Sequence, residues 1–109
     1  MNIEPALESL ISGLPDPSCV CAAGGEILAA NRPFAVQFAA GESACGTKLF
    51  DLIEGLPAVV SGFIGAQPDA RKAFSRAEAV LEGKSFAPRL FEVTAIALRG
   101  EKALVALVF

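Results

Sequence analysis

Three cysteines carry most of the chemistry open to this chain. Cys19 and Cys21 stand two apart and Cys45 is separate. On a strand, residues i and i+2 point to the same side, so the first two thiols share a face. A shared face suits a redox pair or part of a metal site. A structural metal site wants four ligands, however, and the chain has no His to supply one. An odd count at irregular spacing argues against a disulfide framework and for a reducing compartment. The role expected of Cys19 and Cys21 is therefore that of small buried hydrophobes.

The other candidate groups assemble into nothing catalytic. Asp16, Asp51 and Asp69 fall in turns or at helix ends, where capping and solvation explain them. None of Ser9, Ser12, Ser18, Ser43, Ser61, Ser75 and Ser85 has a Gly-x-Ser-x-Gly setting. No glycine-rich loop leads into a Lys-Ser/Thr helix start. Tyr and Trp are absent along with His, which removes the commonest general base. No catalysis is expected, and no catalytic or metal site is assigned.

Composition narrows the class further. The chain has 109 residues, enough for one domain over 1–109 but not two. Net charge is −3. Its nearest basic cluster, Arg71, Lys72 and Arg76, stands beside Asp69 and Glu78 and reads as a solvated face, so no nucleic-acid partner is expected. Hydrophobic residues make up 53% and mean hydropathy is +0.53. No apolar run approaches the roughly 20 residues of a membrane span. Residues 1–13 lack the basic start and apolar centre of a secretory signal. A soluble, cytoplasmic domain without membrane insertion is expected, although a parent protein could carry an anchor elsewhere.

Residues 24–38 organise the rest. Gly24-Gly25 makes a turn, and 26–30 is a short apolar run that suits a strand. Asn31 is placed as a helix N-cap whose side-chain oxygen accepts the N–H of Phe34. Pro33 fits the first turn. Phe34 and Phe38, four apart, lie on one face of the helix over 32–40 that Gly41 closes. Upstream, 18–22 pairs with 26–30 as a hairpin. Before it, 3–12 reads as an amphipathic helix, with Ile3, Leu7, Leu10, Ile11 and Leu14 recurring at helical steps. Gly13 and Pro15 end it. Three turns are not stable alone in water, so this stripe packs on the domain's own sheet or on a second copy.

Downstream, Thr47 could cap a short helix to Ile53, and Pro57 opens another to Ala66, with Val60, Phe63 and Ile64 buried. Over 69–83, Ala70, Phe74, Ala77 and Leu81 step at helical spacing, with Asp69 and Gly83 available as caps. Residues 89–98 and 102–109 read as strands around a turn at Arg99-Gly100-Glu101. Phe91, Val93, Ala95 and Ala97 point one way; Leu90, Glu92, Thr94, Ile96 and Leu98 point the other. In the last strand both faces are apolar. A sheet with one wet face alternates more cleanly. The outer face should therefore be covered by the leading helix, a second protomer, or both.

The ordered series Leu14-Pro15-Asp16, Cys19 to Ala22, Gly24-Gly25, Glu26 to Ala30, Asn31-Arg32-Pro33-Phe34, Gly46-Thr47-Lys48-Leu49-Phe50-Asp51-Leu52-Ile53 and Phe91-Glu92-Val93-Thr94-Ala95 resembles a PAS domain, the sensory module of bacterial signalling proteins. It spans nearly the whole chain. Ala22-Ala23 departs from the Asp that many members carry before the turn. The resemblance implies an α+β fold: a five-stranded antiparallel sheet, short helices on one face and an N-terminal amphipathic helix. It also implies a strand just before Gly83-Lys84, against the local helical spacing. On that basis the expectation is a helix to about residue 73 and a strand over 75–81.

The family's cofactors can be compared with these residues. Haem-binding members use a histidine ligand, absent here, though a Cys ligand remains formally open. The flavin photosensors' Asn-Cys-Arg-Phe-type segment is not matched by Ala44-Cys45-Gly46-Thr47. The yellow photoreceptors need a Tyr partner that the chain lacks. No cofactor is expected. A small apolar pocket lined by Phe34, Phe38, Phe50 and Phe63 is one reading of those rings; plain core is the other, since a domain this size needs them to bury area.

The resemblance implies a sensory and dimerisation module, regulating an attached output domain such as a histidine kinase in a two-component phosphorelay. The domain would form a homodimer through Ile3, Leu7, Leu10, Ile11 and Leu14. The output would lie outside this sequence, because the chain stops at Phe109 without the helical connector usual in such proteins. Two rivals remain, a ligand-binding sensor and a protein-docking module without ligand.

Overall fold

The structure is a computed structural model, and it describes residues 5–22, 24–56, 74–83, 86–98 and 104–109. The expected helix over 57–66, the helical stretch to residue 73 and the turn at 99–101 lie outside these residues. Helix α1 (Pro5–Gly13) leads into strands β1 (Ser18–Ala22) and β2 (Ile27–Ala30), then helices α2 (Arg32–Phe38) and α3 (Leu49–Leu52), then strands β3 (Phe74–Gly83), β4 (Phe86–Leu98) and β5 (Leu104–Val108). The five strands make one antiparallel sheet in the order β2-β1-β5-β4-β3. This is the α+β architecture expected from the sequence.

The disputed stretch is a strand. β3 pairs with β4 from Phe74↔Ile96 to Gly83↔Phe86. Along it Ala77 and Ala79 are half-buried while Arg76, Glu78 and Val80 are exposed, so period two is obeyed beside the helical spacing. Helical propensity is a weak prior, and pairing with β4 overrides it. Glu54 adds an antiparallel bridge to Glu82, with backbone bonds of 2.7 and 3.0 Å.

Two helix ends differ from expectation. α2 stops at Phe38, because Ala40 (φ 54°) and Gly41 (φ 84°) turn left-handed and the Gly41 N–H bonds back to the Ala35 carbonyl at 2.8 Å. α3 is not capped by Thr47. Lys48 holds the cap position with no side-chain cap bond, and the Thr47 carbonyl instead accepts the Ile27 N–H at 2.9 Å, which ties the segment to β2.

Apolar packing falls on both sides of the sheet. On the inner side Cys19, Cys21, Val93, Ala95, Val105 and Leu107 meet Phe34, Phe38, Leu49 and Ile53. On the outer side Ile11 of α1 rests on Val20 and Ala106, flanked by Leu7, Leu14, Leu98 and Leu104. Register explains the division: Cys19, Ala95 and Leu107 share one side, and Val20, Ile96 and Ala106 the other.

Candidate functional site

The strand–cap–helix unit is tied to the chain before it through one side chain. Asn31 is 2% exposed. Its Oδ1 accepts the Phe34 N–H at 3.0 Å, the expected cap, and the Ser18 N–H at 2.9 Å. Its Nδ2 donates to the carbonyls of Asp16 at 2.8 Å and Leu14 at 3.2 Å. The sequence pointed to the first of these bonds. The other three depend on the linker after α1 passing beside the cap, which spacing does not disclose. Asn31 therefore fixes α2 and the exit of α1 against the start of β1.

Phe34 and Phe38 are both 0% exposed. Phe38 lies 5.0 Å from Phe34, 5.0 Å from Phe86, 5.4 Å from Phe91 and 4.8 Å from Phe109, measured between ring centroids. Tilted and edge contacts at these distances are the preferred aromatic arrangements. Arg89 sits 5.3 Å over the Phe91 ring and donates to Gln37 Oε1 at 3.3 Å, closing the end of this cluster. The structure does not bring Phe50 into the group: it is 47% exposed, while its neighbour Leu49 is buried. Phe63 lies outside the described residues. Beside Phe38 a recess of about 270 Å³ opens between the end of α2 and α3, lined partly by Glu42, Ser43, Thr47 and Asp51.

The Cys19 and Cys21 sulfurs lie 3.8 Å apart, fully buried, while Cys45 is exposed. Burial pushes the Cys19 thiol well above its ordinary value of 9.0, and the neighbouring Cys21 adds to the effect. A thiol held protonated is a poor nucleophile and a poor metal ligand. Among the described residues no cluster of three or more His, Cys, Asp and Glu is placed to hold a metal.

The outer face is divided. Of the residues expected to pair two chains, Ile11 is buried on the domain's own sheet and Leu7 and Leu14 are half-buried beside it. Leu10 points away and is 62% exposed, while Ile3 lies outside the described residues. The intramolecular packing of α1 covers the β1–β5 half. On the β3–β4 half Val80, Leu90 and Ile96 remain exposed. Between them Glu78 stands directly opposite Glu92, and Arg76 Nε approaches Glu92 Oε1 at 3.4 Å. Where that face meets the end of β5, a groove of about 400 Å³ is lined by Asp16, Arg76, Glu92, Thr94, Val108 and Phe109. No helix among the described residues is long and apolar enough to cross a membrane.

This architecture is that of PAS domains. The PAS domain of an HTR-like protein from Haloarcula marismortui superposes with a TM-score of 0.62 at 19% identity, over 94% of this chain and 86% of that one. A PAS domain from a two-component sensor histidine kinase superposes with a TM-score of 0.66 at 14% identity, over 94% of this chain and 90% of that one. No protein-family model and no curated protein sequence matches the chain.

Proposed function

We propose that this chain is a sensory module of a signalling protein that works as a pair of chains and passes a change in sheet packing to an attached output domain. The observation that carries this reading is the half-covered outer face: α1 is seated on Val20 and Ala106, while Val80, Leu90 and Leu10 stay open beside it. A helix held by a few apolar contacts next to an open apolar surface can be displaced or joined by a partner. A signal acts on such an element by binding one arrangement better than the other. A histidine kinase in a two-component phosphorelay is the output we favour, and the similar fold from a sensor histidine kinase supports it. The module would work without a resident cofactor: the chain has no His for haem and no matched flavin-adduct cysteine.

Autophosphorylation of the full-length gene product carrying Ile11→Ala tests the reading. Altered kinase output with the fold retained is expected, because α1 is loosened on the sheet. Unchanged output from a variant whose α1 is demonstrably loosened overturns it. Sedimentation of the 109-residue chain tests the pairing: a concentration-independent monomer overturns it and favours a docking module for another protein.

A further inference from the structure

Strand β4 outruns the strand beside it. It is 13 residues long, while β5 pairs with it only from Thr94↔Val108 to Leu98↔Leu104. Before Thr94, β4 is paired on one side, with β3. The end of β5 sets the direction of the backbone groups on the other side. The Phe109 N–H turns towards β1 and bonds to the Pro17 carbonyl at 2.9 Å. Backbone groups alternate along a strand, so those of Val108 and of Thr94 opposite it face each other. By the same alternation those of Glu92 and Leu90 point the way Thr94's do. Among the described residues no strand meets them there. Two N–H and two C=O groups thus stand open in a row. Pro88, with no N–H, bounds the row at one end, and proline in a strand belongs where that side faces solvent. At the other end lies the groove of about 400 Å³ at Asp16, Glu92 and Phe109.

We infer that this edge of β4 takes an extended segment of another polypeptide as an added strand, antiparallel to β4, with a basic side chain beside Glu92 and an apolar one beside Leu90. The inference goes beyond the sensory reading and does not depend on the pairing of chains. Open backbone groups in this alternation are matched by another extended backbone, which supplies the affinity, while side chains at alternate positions supply the choice of partner. Leu90 is 62% exposed and offers an apolar contact. The carboxylates of Asp16 and Glu92 outnumber the one guanidinium in the groove, and that guanidinium is already engaged with Glu92. The added strand is therefore the source of the missing cation. A second copy of β4 would set Glu92 against Leu90 or against its own counterpart, and neither brings a cation to the groove. α1 rests over Val20 and Ala106 on the β1–β5 half and leaves this edge clear.

Fluorescence anisotropy on the 109-residue chain provides the test. The probe is a dye-labelled synthetic peptide, acetyl-Thr-Lys-Val-Ile-Thr-Ser-amide, in which Lys falls opposite Glu92 and Ile opposite Leu90. Saturable binding at millimolar probe or below is expected, and its absence overturns the inference. N-methylation of the probe's Lys and Ile removes the donors that face β4 and should weaken binding about tenfold or more. N-methylation of its Val and second Thr, which face away, should leave binding unchanged. Equal loss from both, or from neither, overturns strand addition. Glu92→Lys, with its fold verified by circular dichroism, should weaken binding of this probe and strengthen binding of the counterpart with Glu in place of Lys. Indifference to that exchange overturns the assignment of a basic partner. Sedimentation of the chain alone reads the pairing of copies separately, so either idea can fail without the other.

Discussion

The Oδ1 atom of Asn31 accepts the backbone N–H of Ser18 at 2.9 Å, across 13 residues, while also capping α2. A helix cap thereby also closes the hairpin. Beside it the Asn31 N–H bonds to the Ser18 carbonyl at 3.0 Å, so the start of β1 and the end of β2 are both held at this one residue.

Asn31→Ala should therefore cost more than an ordinary cap. Losing a cap costs about 1 kcal/mol, and leaving a buried donor or acceptor unpaired costs a further ~1–3 kcal/mol. A total loss of about 3 kcal/mol or more is expected in chemical denaturation. A loss near 1 kcal/mol would mean that water replaces the bonds to Ser18, Asp16 and Leu14.

The two sides of α1 should respond differently. Ile11 is 3% exposed against Val20 and Ala106, so Ile11→Ala should cost about 2–4 kcal/mol. Leu10 faces outward, and Leu10→Glu should change stability by about 0.5 kcal/mol or less. Melting curves of the two variants, taken together, read which face of the helix is seated.

Phe38 and Phe50 provide a second contrast, on the inner side. Phe38→Ala removes the ring that touches Phe34, Phe86, Phe91 and Phe109 and should cost about 3–5 kcal/mol. Phe50→Ala should have a small effect, because that ring is nearly half exposed. Equal losses measured by denaturation would place both rings in one core.

The thiols make a prediction about pH. The folded Cys19 thiol titrates well above its ordinary value of 9.0. In the unfolded chain the same thiol ionises near its ordinary value and gains what the folded one cannot. Stability is thus held below that pH and falls as pH rises above it, by up to about 1.4 kcal/mol per pH unit for this one group. Melts between neutral and alkaline pH should show the decline, and Cys19→Val should flatten it. In native protein, alkylation should mark Cys45 and spare Cys19 and Cys21, whose labelling should require unfolding.

Much of the site was legible beforehand wherever neighbours in sequence are neighbours in space. The Asn31 cap, the shared face of Cys19 and Cys21, and the inward set Phe91, Val93 and Ala95 each follow from spacing within a helix turn or a strand pleat. Phe50 is the exception. Successive residues of a helix point roughly 100° apart, and spacing alone does not say whether Leu49 or Phe50 meets the sheet; the structure buries Leu49 and leaves Phe50 47% exposed.

Local sequence determined the Gly24-Gly25 turn, the Asn31 cap and the alternation of β4, because each is set by sterics and hydrogen bonds among residues close along the chain. Tertiary packing decided that residues 74–83 form a strand, since their backbone groups are satisfied by β4 and not by one another. It also decided which half of the outer face α1 covers. The helix has one apolar stripe, and nothing short of the folded sheet shows that the stripe ends on Val20 and Ala106 and leaves Val80 and Leu90 in water.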